Sequence, residues 1–239
     1  VFRYLLVLFM LTGANLYGVD ISVLDEDGLR AAITAVNSSG TDDTITFSGN
    51  IGLNAVLPPI DKAADKTLTI GGNGFTLSRN SVPSEFRILT INAGDVTIDR
   101  LTISGGYVST GSGGGIANYG TLTLTNCTVS GNTANDYGGV GGGSGGGIDN
   151  YGTLTLTNCT VSGNMAGSGG GIDSYDGMLT LTNCTVSNNT AGNYGGGIES
   201  YDDMLTLTNC TVSGNMADYG GGIHSQYGTL TLIRNIVSG

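Results

Sequence analysis

Basic residues are almost absent from most of the chain. Its 239 residues include eight lysines and arginines against 19 acidic residues, and residues 101–233 contain no lysine or arginine. Because Lys and Arg supply the charge that binds nucleic acid and anionic membranes, neither partner is expected for this region. Lyase chemistry of the pectate type also needs basic groups beside carboxylates, so we expect no catalytic residues and no enzyme.

Metal-binding and membrane-spanning patterns are missing as well. His224 is the only histidine, and the four cysteines form no Cys-x-x-Cys pair, which argues against zinc. The glycine-rich calcium-binding nonapeptide is absent. We therefore expect no metal and no cofactor. The apolar run near the start is too short to cross a bilayer, so no transmembrane span is expected either.

Residues 1–18, VFRYLLVLFMLTGANLYG, are typical of a secretory signal. A basic residue precedes an apolar run, and small residues follow it. This pattern predicts a secreted, extracellular or cell-surface protein, and leaves open whether the leader is removed. A retained leader would offer a strand or plug to a neighbouring subunit, which makes its apolar part a predicted assembly end: Leu5, Leu6, Val7, Leu8 and Phe9.

What the chain has in abundance is glycine, with 43 residues, and an internal repeat. The phrase GTLTLTNCTVSGN occurs at 120–132 and again, unchanged, at 152–164, and shorter copies follow at 178–187, 204–213 and 228–239. A repeat of about 25 residues without helical periodicity excludes helical-hairpin arrays and predicts a solenoid. The glycine-rich insertion at 137–147 is predicted to be a loop.

The alternation within the repeat predicts which side chains face the core. Leu122 and Leu124 point inward and the intervening threonines outward, and the alternation slips at Asn126 so that Cys127 points inward. Each unit then has two strands around an asparagine corner, an SGN turn and a third strand at GGGI. The fold class is all-β, a single right-handed parallel β-helix. Its core ladder is Leu101, Cys127, Cys159, Cys184 and Cys210, and its corner ladder is Asn126, Asn158, Asn183 and Asn209.

The chain divides into three parts. After the leader, residues 19–100 hold a short amphipathic helix at 27–37, with Asp27 as predicted N-cap, and degenerate coils. The helix is expected to cap the first coil. Residues 101–239 are regular repeats whose last coil has no evident cap. The chain is a fragment of a longer array, or the open end is covered by a partner through Leu230, Leu232 and Ile236.

The repeats resemble a known family. GGGI followed by VSGN, with FSGN at 47–50, resembles the GGA(I/L/V) and FxxN repeats of polymorphic outer-membrane proteins and related bacterial β-helix surface proteins. The resemblance covers roughly residues 25–239 and implies a right-handed β-helix on the cell surface or in the medium. Later repeats depart from it, because Val129 and its equivalents replace the Phe of FxxN.

Two outward columns are candidate sites. The residue after GGGI is acidic in three units, Asp149, Asp173 and Glu199, which predicts an exposed acidic edge or, alternatively, carboxylates of a glycosidase. A tyrosine follows two residues later, and this column stacks on sugar rings or on itself.

The stacked cysteines are either a disulfide or buried free thiols. The Asn-Cys-Thr sequons are glycosylation acceptors only in a host that glycosylates them.

The threonine columns form a third candidate surface. Two residues along a strand and one coil across give a flat array of hydroxyls. It resembles the Thr-x-Thr faces of ice-binding solenoids: Thr123, Thr125, Thr155, Thr157, Thr180, Thr182, Thr206 and Thr208.

The favoured function is a structural or adhesive β-solenoid that self-associates head to tail into a fibre. The alternatives are binding or degradation of a polysaccharide, with a glycan or host-surface ligand, and ice binding.

Overall fold

The computed structural model describes residues 18–80, 85–135 and 142–238. They form a right-handed parallel β-solenoid of about 8 turns, with about 26 residues in each turn. The predicted fold class is therefore confirmed. The apolar leader Leu5–Phe9 lies outside the described residues, and so do residues 136–141 of the predicted insertion loop.

The strands of the described ranges form four parallel sheets, named A to D. Sheet A carries the Leu-Thr-Leu-Thr strands: β1 (Asp20–Val23), β2 (Asp43–Phe47), β5 (Thr67–Gly71), β8 (Asp95–Asp99), β12 (Thr121–Thr125), β16 (Thr153–Thr157), β20 (Met178–Thr182), β24 (Met204–Thr208) and β27 (Thr229–Ile233). Sheet B follows the asparagine corner: β3 (Ile51–Leu53), β6 (Thr76–Arg79), β9 (Thr102–Ser104), β13 (Thr128–Ser130), β17 (Thr160–Ser162), β21 (Thr185–Ser187), β25 (Thr211–Ser213) and β28 (Ile236–Ser238).

Sheets C and D complete the coil. Sheet C consists of β4 (Ile60–Asp61) and β7 (Leu89–Ala93), followed by the strands that begin at the isoleucine of each GGGI: β11 (Ile116–Asn118), β15 (Ile148–Asn150), β19 (Ile172–Tyr175), β23 (Ile198–Tyr201) and β26 (Ile223–Gln226). Sheet D is an outlying fourth sheet that the repeat did not predict: β10 (Tyr107–Val108), β14 (Thr133–Ala134), β18 (Met165–Ser168) and β22 (Thr190–Tyr194). Its own apolar contacts are small: Val108, Ala134 and Ala166.

The inner columns of sheets A, B and C fill one continuous core. Leu122 and Leu124 pair in register with Leu154 and Leu156 of the next coil, and all four are fully buried. The cysteines take the first inward position after the corner and are 2% exposed, and Leu101 at the equivalent place is 1% exposed. All four cysteines are free thiols. The neighbouring thiols of Cys127 and Cys184, together with burial, raise the pKa of the Cys159 thiol.

The corner between sheets A and B is made by residues in the left-handed backbone region. Asn126, Asn158 and Asn183 each have φ of 55°, and Asn209 has 54°. This conformation reverses the side-chain parity, which explains why leucines before the corner and cysteines after it both face inward. The exposed corner amides bond along the stack, since Asn158 Nδ2 donates to Asn126 Oδ1 at 3.3 Å and Asn183 Nδ2 to Asn158 Oδ1 at 3.2 Å.

A second asparagine column is buried, and the sequence suggested only a turn there. It consists of the last residue of each SGN turn and of the equivalent SNN at 187–189: Asn132, Asn164, Asn189 and Asn215, none more than 4% exposed. Asn164 Oδ1 accepts from the backbone N and from Nδ2 of Asn132, both at 3.0 Å. Its Nδ2 donates to Val129 O at 3.0 Å and to Asn189 Oδ1 at 2.9 Å. Gly147 is required beside it, because a Cβ would lie 3.0 Å from Asn164 Nδ2.

Replacing Asn164 with alanine is expected to lower the free energy of unfolding by about 2 kcal/mol. The change removes one hydrogen bond from each of four buried polar groups, and Asn132 N loses the acceptor of its bond, which is costly in the core. Chemical denaturation measures the loss. Ser162→Ala, a similar truncation on the outward side of the same coil, is the matched control and should change little. Equal losses in the two variants would contradict a structural role for the column.

The helix α1 (Glu26–Ser38) covers the N-terminal end of the core. The predicted apolar face is confirmed, because Leu29, Ala32, Ile33 and Val36 are buried in the same core cluster as the first strands. The predicted N-cap lies two residues too far along the chain, because the side chain of Asp25, not that of Asp27, accepts a hydrogen bond from Gly28 N at 2.8 Å. Asp25 has the extended backbone of a capping residue, whereas Asp27 lies in the first helical turn.

A buried ion pair joins the end of α1 to the first coils. Lys62 and Asp43 have no exposed side-chain surface, and Lys62 Nζ bonds the Asp43 carboxylate. Lys62 Nζ also donates to Val36 O at 3.0 Å, a carbonyl in the last turn of the helix. Asp43 further accepts from Val19 N, Ser39 Oγ and Thr41 Oγ1. Burial alone would raise the pKa of Asp43, but these hydrogen bonds outweigh it and lower the pKa below its ordinary value.

The last described coil differs from the others in exposure. Leu230, Leu232 and Ile236 are 41%, 47% and 65% exposed, whereas Leu205 and Leu207 one coil earlier are fully buried. Sheets A, B and C continue without a break across residue 100, and sheet D begins after it at Tyr107. Among the described residues, helix α1 is too short and too polar to cross a bilayer.

Candidate functional site

The outward side of sheet C carries an acidic column. The register pairs Asp149 with Asp173, Asp173 with Glu199, and Glu199 with His224. The sequence predicted an exposed acidic edge here, and that prediction is wrong, because Asp149, Asp173 and Glu199 are 2%, 7% and 7% exposed.

The glycine turn before each strand of sheet C explains this burial. Gly145 has φ of +62°, and a Cβ on it would lie 2.6 Å from Asp149 Cα. Gly169 bears the same relation to the next coil, where a Cβ would lie 2.6 Å from Asp173 Cβ. The turns therefore fold directly onto the column as they connect sheet D to the next strand of sheet C. The run of glycines is the sequence signal for this close approach, whereas the sequence pattern predicts the third strand over the whole of GGGI; the strands begin only at its isoleucine.

Burial and mutual repulsion perturb the column strongly. Burial, and then the negative charge of Asp173, raise the pKa of Asp149 to about 7. Burial and the charge of Glu199 raise the pKa of Asp173 to about 7, against a bond from Ser144. Burial raises the pKa of Glu199 to about 7. Near neutral pH these carboxyls are poised between their two protonation states, which suits proton transfer as well as pH sensing.

His224 closes the described end of the column. Its Nδ1 lies 2.8 Å from Glu199 Oε2, and its ring centroid lies 4.8 Å from that of Tyr194 in β22. Tyr194 stacks in turn on Tyr219 at 5.3 Å. On the other side, the charge of Asp149 raises the pKa of Tyr151 to about 12. The acidic column thus lies between two sets of aromatic rings. In the described parts of the chain, no group of three or more His, Cys, Asp or Glu residues is placed to hold a metal ion.

The tyrosines beside the acidic column form a largely exposed stack with two breaks, a tilted contact between Tyr151 and Tyr175 and an edge-to-face contact between Tyr201 and Tyr227. The ring centroids of Tyr119 and Tyr151 lie 5.4 Å apart and those of Tyr175 and Tyr201 lie 5.1 Å apart, with nearly parallel planes in both pairs. Within these pairs the ring faces cover each other and are not free for a sugar. Between Tyr151 and Tyr175 the distance is 6.1 Å and the planes are tilted by 48°, so a ring face is open there.

The candidate threonine face lies on the outward side of sheet A. Thr123, Thr155, Thr180 and Thr206 share one register position, and the threonines two residues later share the next: Thr125, Thr157, Thr182 and Thr208. Each of these eight side chains is partly exposed. Sheets A and C are therefore two distinct faces of the coil: sheet A is uncharged and rich in hydroxyls between β12 and β24, and sheet C is acidic and aromatic.

Comparison with known proteins gives one match. A family model described as a right-handed beta helix region matches residues 65–237. A search of curated proteins and a search of solved structures each gave no significant match. The matched range covers more than half of the chain and includes all five GGGI turns.

Proposed function

The chain belongs to the right-handed β-helix family, and on that premise we propose that it is a secreted or cell-surface protein with a structural and adhesive role. The observation that carries the proposal is the repetition of half-exposed side chains in register from coil to coil. A surface of identical groups binds a repeating partner at many points, so weak single contacts add up. The likeness of GGGI and VSGN to bacterial surface-protein repeats supports this location.

We place the adhesive site on the tyrosine column of sheet C. It combines exposed phenol groups, ring faces left uncovered where Tyr151 meets Tyr175 and where Tyr201 meets Tyr227, and the nearby exposed carboxylates of Asp176 and Asp202. Aromatic faces and carboxylates together bind the ring and the hydroxyls of a sugar. A glycan on a host or neighbouring cell is the proposed ligand.

A glycan array probed with the labelled chain tests this site. The wild-type chain should bind a subset of linear glycans, and Tyr175→Ala should remove that binding. Tyr219→Ala is the matched control, because Tyr219 is an exposed, stacked tyrosine on the other side of the acidic column. Absence of binding to every glycan, or equal loss in both variants, would overturn the assignment.

Head-to-tail stacking into a fibre is the finer part of the proposal. Every coil in the described array accepts the next coil through parallel, in-register backbone pairing, and a like coil of another chain offers the same groups. Sedimentation and electron microscopy of the full chain should show elongated oligomers. Leu232→Lys should disperse them, whereas Thr180→Lys in the middle of the array should not. A strictly monomeric wild-type chain would exclude the fibre.

Polysaccharide cleavage is a second candidate, favoured by the raised pKa values of the acidic column. The family includes pectate-lyase-like enzymes as well as proteins without catalysis. Paired carboxyls with a pKa near 7 suit a general acid and base. The same glycan panel, assayed for newly formed reducing ends, should then show activity that Asp173→Asn abolishes. If no glycan yields new reducing ends, cleavage is excluded and only the adhesive role is retained.

A further inference from the structure

The threonine array on sheet A is longer and more regular than the sequence indicated. The register aligns one threonine in each of eight successive strands, from β2 to β27: Thr44, Thr69, Thr97, Thr123, Thr155, Thr180, Thr206 and Thr231. Met178 and Met204, which interrupt the sequence pattern, fall in a flanking column in line with Thr153. Ile233 lies at the end of the other flanking column. The central column is therefore unbroken.

The array is also geometrically regular. Register shifts occur in sheets C and D, between β4 and β7 and between β18 and β22, and none is found among the described pairs of sheet A. Neighbouring hydroxyl positions repeat at about 4.8 Å across the strands and about 6.7 Å along them. Threonine is branched at Cβ, so each side chain is held in few rotamers and its hydroxyl and methyl keep fixed places.

The chemistry of the face limits what it can bind. Between β12 and β24 the central column and the flanking column of Thr125 hold only threonine, with neither charge nor aromatic ring. The nearest acidic residues of the sheet, Asp95 and Asp99, lie on β8. The face therefore offers no charged side chain to pair with an ionic ligand and no aromatic ring on which a sugar could stack. A fitting ligand is uncharged, forms hydrogen bonds and repeats in two dimensions. Its surface must also accept the methyl groups between the hydroxyls.

We propose that the threonine face of sheet A binds ice. Water molecules at an ice surface repeat in two dimensions with spacings close to those of the hydroxyl array, and each can donate and accept a hydrogen bond. The methyl groups occupy hollows between these waters, where they avoid contact with liquid water. The face is independent of the tyrosine column, so this activity and glycan adhesion can be present or absent separately.

Thermal hysteresis and partition of the purified full chain into a growing ice hemisphere test the proposal. The wild-type chain should show both. Thr155→Lys combined with Thr180→Lys should abolish both, because two charged side chains project from the centre of the face. Thr155→Val with Thr180→Val, which keeps the shape and removes the hydroxyls, should reduce both without unfolding the chain. Circular dichroism verifies the fold of each variant.

Thr160→Lys combined with Thr185→Lys is the matched control. These residues lie on the same two coils with similar exposure, but on sheet B, where the neighbouring column is serine and lacks methyl groups. The control should retain full hysteresis. Lack of hysteresis in the wild-type chain, or equal loss from the sheet A and sheet B variants, would overturn the proposal. Binding to insoluble cellulose or chitin through the same residues, without ice partition, would replace ice by a crystalline glycan.

Discussion

Replacing Lys62 with methionine is expected to lower the free energy of unfolding by about 3–5 kcal/mol, the usual cost of removing one member of a buried ion pair. The Asp43 carboxylate would remain buried and charged without its counter-ion, and Val36 O at the helix end would lose its donor. The pair also joins α1 to the first coils. In the variant, the amides of the helix and of these coils should therefore lose protection from hydrogen exchange together. Chemical denaturation and amide hydrogen exchange measure the two effects.

Two further variants define the source of this loss. Lys66→Met removes an exposed ion pair with Asp65 and should change the stability little. The double variant Lys62→Met with Asp43→Asn leaves no unpaired charge and should recover part of the stability. If the double variant is as unstable as Lys62→Met alone, the loss comes from packing of the lysine stem and not from the stranded charge.

Raising the pH from about 5 to about 8 is expected to lower the free energy of unfolding by several kcal/mol, about 2 for each carboxyl of the acidic column. Asp149, Asp173 and Glu199 have folded-state pKa values of about 7, well above the values of unfolded chains. Between those limits the folded state holds more protons than the unfolded state. The stabilisation is complete below the unfolded pKa values and is lost as the pH rises through about 7.

The substitution Asp173→Asn should weaken the dependence of the free energy of unfolding on pH. Asp173→Asn keeps the size of the side chain and removes both its desolvated charge and its repulsion of Glu199, so the variant should be more stable than the wild type at about pH 8. Asp176→Asn, an exposed carboxylate in the same coil, is the control and should keep the wild-type slope. Arg87, Ser144 and His224 face the column and moderate its charge, but none is removed by these variants. A wild-type stability that rises with pH in this window would refute the assignment.

The regular part of the fold could be predicted because its signals are local. Alternation in Leu122-Thr123-Leu124 gave the faces of sheet A, and the slip at Asn126 gave the corner that its φ of 55° now shows. The buried position of Cys127 followed from that slip alone. Such features depend on a few neighbouring residues, and the repetition of the sequence removed the remaining ambiguity.

The environment of the polar columns could not be predicted in the same way. Asp149 and Asp173 occupy outward strand positions, and only the path of the glycine turns and of sheet D decides that they are covered. Asn132 and Asn164 follow a glycine in a turn pattern, yet their amides turn into the core and bond across coils. The partnership of Lys62 with Asp43 joins residues 19 positions apart that no repeat links. Each depends on contacts between segments rather than on local pattern.

The pairing of each coil with the coils directly before and after it has a consequence for how the chain acquires its structure. Thr123 pairs with Thr97 and Thr155, and no strand of sheet A pairs beyond its two neighbours in the stack. Structure can therefore spread along the chain one turn at a time from whichever neighbouring coils form first. Adding each turn closes a loop of about 26 residues, and the free thiols require no oxidation step.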